Sequence, residues 1–174
     1  MLSGYGVPMA SHAELPELPA NAALVAYLRR QAEPPDGPGD YTLGEWQLHT
    51  HPDLISRLRF LAPDWPVTAA YGVPLLASEG VAAVVAIGMD SLAVRIDELP
   101  PEIQADDRGT PWSSTAERWK FIDAWQNDRA LRDLVSIALT RAASLALPKP
   151  EQGDGASRLD VPVPGVRLNG TDPS

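Results

Sequence analysis

Seven apolar residues in succession, Val81 to Ile87, lie between two turn signals, Ser78-Glu79-Gly80 and Gly88-Met89-Asp90-Ser91. A continuous Val-rich run of this kind reads as a strand covered on both faces. On its C-terminal side Leu92, Val94 and Ile96 alternate with Ala93, Arg95 and Asp97, the period-two pattern of a half-buried strand. On its N-terminal side Val67 to Leu76 reads as one more strand, bent at Gly72, with Pro74 confining part of it to a sheet edge. Turns this short make antiparallel pairing the simplest topology.

Helical periods flank this centre. Asn21 is placed to cap a short helix with Leu24, Val25 and Leu28 on one face, and the breaker loop Glu33 to Asp40 follows. Thr50 to Pro52 marks a second helix start. Thr50 and Asp53 have capping-box spacing, while Pro52 in the first turn equally allows His51 as the cap. Leu54, Ile55, Leu58 and Leu61 form its stripe, and Pro63 closes it. Asp97 to Ser114 is an acidic, weakly periodic connection. Arg118 to Trp125 returns to strand composition, with Trp119, Phe121 and Trp125 on one side. Asn127 or Asp128 then caps the strongest helix, striped by Leu131, Leu134, Val135, Ala138, Ala142 and Leu145 and stopped by Pro148. The pattern predicts an α+β fold: an antiparallel β-meander of about four strands, flanked by N-terminal helices and closed by a long C-terminal helix.

Length and composition bound the rest. The 174 residues suit one domain, divided as an irregular segment 1–19, an α+β body 20–147 and a tail 148–174. The tail carries five Pro and four Gly in 27 residues and reads as an extended or disordered segment. Within it Leu159, Val161, Val163 and Val166 alternate with Pro162 and Pro164, a pattern suited to a sheet edge or a partner groove. The absence of Cys excludes disulfides and thiolate metal sites. Twenty-three acidic against 14 basic residues, a net charge of -9, argue against a phosphate-tracking nucleic-acid binder. No apolar run reaches membrane-spanning length and no secretory signal stands at the start, so a cytoplasmic protein with no membrane partner is expected.

Several residues carry a resemblance in their order. Tyr71-Gly72-Val73-Pro74, the turn at Glu79-Gly80, the strand to Ile87, Leu92-Ala93-Val94-Arg95-Ile96, an aromatic strand and an Ala/Leu helix follow one another. Over about residues 50–147 this resembles the N-terminal domain of the TfoX/Sxy competence-regulator family. The family's Met-Phe-Gly-Gly element corresponds here to Ala69-Ala70-Tyr71-Gly72, and Arg95 followed by Ile96 stands where a Lys is typical. The resemblance implies a small regulatory or protein-binding domain without a defined catalytic site.

Chemistry-bearing clusters are few. His49, His51 and Asp53 have metal-ligand chemistry, but two His at i and i+2 share an ion only on an extended backbone, and the same residues serve as a helix start. No Gly-x-Ser-x-Gly elbow or phosphate loop occurs, and Asp97-Glu98 and Asp106-Asp107 read as solvated loop charge. Trp112, beside Pro111 in a loop, is either an exposed partner anchor or a plug for the domain's own core. Arg95 either reaches solvent or pairs with an acid such as Asp97 or Asp123.

The expected function is therefore non-catalytic: an interaction or regulatory protein that binds another protein. Its contacts would be the sheet face, the 98–114 loop around Trp112, or the tail residues Leu159, Val161, Val163 and Val166. No cofactor is implied, and a homo-oligomer stays open. The competing expectation is a small-molecule enzyme or ligand-binding protein, with a pocket over the antiparallel sheet lined by Tyr71, Arg95, Trp119 and Trp125.

Overall fold

The run Val81–Ile87 is the middle strand of a five-stranded sheet in the structure, a computed structural model describing residues 15–35, 37, 41–106, 109–114 and 118–146. In chain order the elements are α1 (Ala22–Gln31), β1 (Thr42–Leu43), β2 (Trp46–Gln47), α2 (Asp53–Leu61), β3 (Thr68–Ala70), β4 (Val73–Ser78), β5 (Val81–Ile87), β6 (Ser91–Val94), β7 (Lys120–Asp123) and α3 (Asp128–Ala146). Strands β3 to β7 lie in sequential order, each antiparallel to the next, and β1 pairs with β2 as a separate hairpin. The fold is α+β, a meander closed by the long helix α3.

The single strand expected over Val67 to Leu76 is two strands. Tyr71 and Gly72 take positive φ angles of 52° and 82°, so the chain reverses in a two-residue hairpin with Ala70 opposite Val73. Gly72 also lies where the loop after β2 crosses, because a Cβ there would sit 2.1 Å from the Gln47 carbonyl oxygen. The same hairpin geometry recurs at Glu79-Gly80, between Ser78 and Val81. Pro74 pairs with Ala69, and the β4–β5 ladder begins one residue later at Leu75–Val85, so the missing N–H breaks no bond on that side.

Both sheet faces are covered. Leu54, Ile55, Leu58 and Leu61 of α2 and Leu131, Leu134, Val135 and Ala138 of α3 pack on one face, against Leu76, Val84, Leu92 and Ile122. Leu24 and Leu28 of α1, with Trp112, Trp119 and Phe121, cover the other, against Leu75, Ala82, Val85 and Ala93. Strand β6 is accordingly buried throughout, and not half-exposed as its alternation suggested. Leu145 is the exception in the α3 stripe, lying exposed one turn beyond Ala142. Asn127 caps α3, its Oδ1 accepting from the Ala130 N–H at 3.1 Å.

A β-bulge organises the polar interior. Leu76 pairs with Val84 and Ala77 with Ala82, leaving Ala83 without an opposite residue and turning Ala83 and Val84 to the same face. The Ala82 N–H at this bulge donates to Asn21 Oδ1 at 3.1 Å, and the Ala82 carbonyl accepts from Arg95 Nε at 2.8 Å. Asn21 therefore does not cap α1 with its side chain. It is wholly buried, and its Nδ2 donates to the carbonyls of Pro16 and Gly80. Arg95 neither reaches solvent nor pairs with Asp97 or Asp123. Its Nη2 donates to the Ala20 carbonyl, and its guanidinium lies 4.5 Å from the Trp119 ring centroid. Asp97 holds Arg141 instead, in a two-point ion pair at 3.1 and 3.2 Å, and Asp123 Oδ1 accepts from the Trp125 N–H.

Candidate functional site

The seam where α2 packs beside α3 carries the most concentrated aromatic surface of the described residues. Its floor is set by Arg57, which interrupts the apolar stripe of α2 and is buried. Arg57 Nε donates to the Ala124 carbonyl at 2.6 Å and Nη2 to the Gln126 carbonyl at 3.1 Å, while Nη2 also stands 2.7 Å from Asp128 Oδ1. The guanidinium is thus held by the β7–α3 corner, and two rings rest against it: Trp125 at 5.1 Å and Phe60 at 5.4 Å. Arg132, one turn into α3, stacks on Phe60 at 4.2 Å. Guanidinium groups stacked in this way hold aromatic side chains in fixed orientation while leaving their outer edges free.

Those edges face outward. Trp125 is 49% exposed and Phe60 43% exposed, unusual for large apolar side chains that cluster. They flank a recess of about 400 Å³ completed by Asp53, Ser56, Arg57 and Asp128. Arg132 also borders a second recess of about 220 Å³ along the same seam, which runs past Leu61, Val135 and Leu139 to Trp65 and Thr140. The two recesses lie end to end along the seam as an interrupted trough, with Trp65 at one end, the Phe60–Arg132 stack between them, and Trp125 and the Asp53 carboxylate at the other.

Few of the residues singled out in the sequence meet there. Trp112 is only 5% exposed, packed at 5.1 Å on Tyr27 and 5.5 Å on Trp119. It plugs the α1 side of the core and is not an exposed anchor, because the long connection folds back under α1. The four residues expected around one pocket are separated. Arg95 and Trp119 touch inside the core, Tyr71 stacks on Trp46 and receives weak hydrogen bonds from Arg29, and Trp125 belongs to the α2–α3 seam. Trp125 departs from Trp119 and Phe121 because strand β7 ends at Asp123 and the chain turns before it. The tail residues Leu159, Val161, Val163 and Val166 lie outside the described residues.

His49, His51 and Asp53 do not form a ligand set. His51 N donates to the Gly88 carbonyl, while its ring Nδ1 accepts from the Asp53 N–H at 3.1 Å, ordering the turn into α2, whose N-cap position is Pro52 and not His51 or Thr50. His49 instead lines a cavity of about 150 Å³ beneath α1, shared with Tyr27, Gln31, Thr50, Val73 and Ile87. Among the described residues no three His, Cys, Asp or Glu side chains converge on one point. His49 Nε2 and Thr50 Oγ1 are buried without a hydrogen-bond partner among the described residues, an arrangement that ordered water or a small ligand would satisfy.

The seam trough itself had a partial signal. Trp125 and Asp53 were visible, but Phe60 reads as the outer flank of an amphipathic helix and Arg57 as an ordinary surface charge. Among the described residues, no helix is long and apolar enough to cross a membrane. Comparison of the chain with protein-family models, with curated proteins and with solved structures finds no match.

Proposed function

We propose that this protein is a non-catalytic interaction module whose α2–α3 seam receives an extended, apolar peptide segment of another protein. The observation that carries the reading is the pair of exposed rings, Trp125 and Phe60, braced on the buried Arg57. Trp and Arg are the residue types that dominate binding energy at protein interfaces, and preorganised rings lose little entropy on contact. The coverage of both sheet faces and the burial of Trp112 direct the reading to the seam and away from the sheet and the 98–114 loop. A regulatory role, as the TfoX/Sxy resemblance implies, belongs to the same proposal.

A photo-crosslinking amino acid at position 60, compared with one at the exposed control position Ile137, tests it in the source cells. Heterologous adducts formed from position 60 and not from 137 support the reading. Absence of adducts from 60, or equal yields from both, ends it.

A second reading, a small-ligand site, draws on the partnerless His49 Nε2 and Thr50 Oγ1 beside the cavity under α1. Acetamide at millimolar concentration, a small neutral hydrogen-bonding probe, would then shift the His49 ring resonances. Unshifted resonances at the highest soluble concentration reject it.

A further inference from the structure

The trough has a direction, and so does the chain that leaves α3. Its Trp65–Thr140 end lies nearer the C-terminus of α3, and its Trp125–Asp53 end lies at the helix start. Twenty-eight residues, 147–174, follow Ala146. The 12 residues 147–158 reach about 40 Å when extended, several times the roughly 9 Å of helix between Thr140 and Ala146. A segment beginning near Leu159 can therefore enter at Trp65 and run antiparallel to α3.

The chemistry of residues 159–168, Leu-Asp-Val-Pro-Val-Pro-Gly-Val-Arg-Leu, suits an aromatic seam with a carboxylate at its far end. Pro162 and Pro164 favour an extended polyproline conformation, which aromatic-lined grooves bind at low entropic cost. At about 3.1 Å per residue, the six residues Val161 to Val166 span about 19 Å, close to the about 18 Å that α3 covers from Asp128 to Thr140. Arg167 follows directly on that span, and Asp53 lies at the end of the seam that a chain entering from Trp65 reaches last. The Asp53 carboxylate is 73% exposed and, among the described residues, meets only the His51 ring, at 3.6 Å, so it is accessible to a guanidinium.

We propose that residues 159–168 of this same chain dock in the α2–α3 trough, with Val161, Val163 and Val166 against the exposed rings and Arg167 at Asp53. The proposal rests on the seam being a peptide site and makes the tail its internal occupant, displaced when a partner binds. The module is then self-limiting: a partner must compete with a tethered segment at high effective concentration.

Hydroxyl-radical footprinting of the full chain tests this without truncation, comparing wild type with the double variant V161D/V163D. Modification at Trp125 and Phe60 is expected to rise several-fold in the variant, with Tyr41, exposed and lining neither recess, unchanged. Equal modification at both rings in the two proteins overturns the proposal, while partner crosslinking from position 60 would still stand by itself. Dilution of wild type separates the tethered contact from one between two copies. Protection that persists on dilution supports the tethered segment, and protection that fades overturns it in favour of a second copy.

Discussion

Arg57 and Asp128 stand 2.7 Å apart, tying the middle of α2 to the first turn of α3 at the floor of the aromatic trough. The two partners are unequal: Arg57 is buried and serves two main-chain carbonyls, while the Asp128 carboxylate is largely exposed. Replacement Arg57→Ala strips the carbonyls of Ala124 and Gln126 of a donor and is expected to cost about 2–4 kcal/mol. Asp128→Asn is expected to cost less than about 1 kcal/mol, because an exposed pair is screened by solvent. Urea unfolding of both variants checks the ranking, and equal losses would refute the anchoring role of Arg57.

Asn21 holds the N-terminal segment to the sheet through three hydrogen bonds to backbone groups of Pro16, Gly80 and Ala82. Asn21→Ala leaves the bulge N–H of Ala82 buried and unpaired, at an expected cost of about 2–4 kcal/mol. Asn21→Asp keeps the acceptor but loses both donated bonds and buries a charge, so it is expected to be worse. A denaturation midpoint for Asn21→Ala within error of wild type would show that water replaces the side chain.

Turn geometry makes two opposite predictions. Gly72→Ala places a Cβ on the Gln47 carbonyl as well as straining a positive φ, and is expected to cost more than the roughly 1–2 kcal/mol of the backbone alone. Glu79→Asn relieves a non-glycine residue at φ 54°, in the turn position where Asn is favoured, and is expected to stabilise by up to about 1 kcal/mol. Thermal unfolding of the two variants should move in opposite directions.

The tryptophans divide between stability and binding. Trp112→Ala opens a cavity between Tyr27 and Trp119 and is expected to lose about 3–5 kcal/mol. Trp125→Ala removes a ring already half in water and is expected to lose less than about 2 kcal/mol while abolishing partner crosslinking at the seam. Circular dichroism melts together with crosslinking yields separate the two. A folded Trp125→Ala protein with undiminished yield would remove that ring from the site.

Much of this molecule was readable without coordinates where the signal is local. The α2 stripe, the Asn127 cap, the turn at Glu79-Gly80 and the doubly covered run Val81–Ile87 each follow from neighbours within a few residues. The hairpin β1–β2 gave no such signal, because two-residue strands carry too few side chains to show a period. Arg95 was misread for the opposite reason. Its strand alternates as a solvent-facing strand would, yet α1 and the aromatic connection cover that face and a bulge carbonyl receives the guanidinium.

The sequence by itself determined the α+β class, the antiparallel meander and the closing helix, since turn chemistry and hydrophobic period act over a handful of residues. Tertiary structure alone decided which aromatic rings face water. Trp112 and Trp125 have similar loop settings, but one meets Tyr27 from a helix far away in the chain and the other meets Arg57 at the edge of a seam. Exposure is set by what packs from a distance, and no local pattern encodes that.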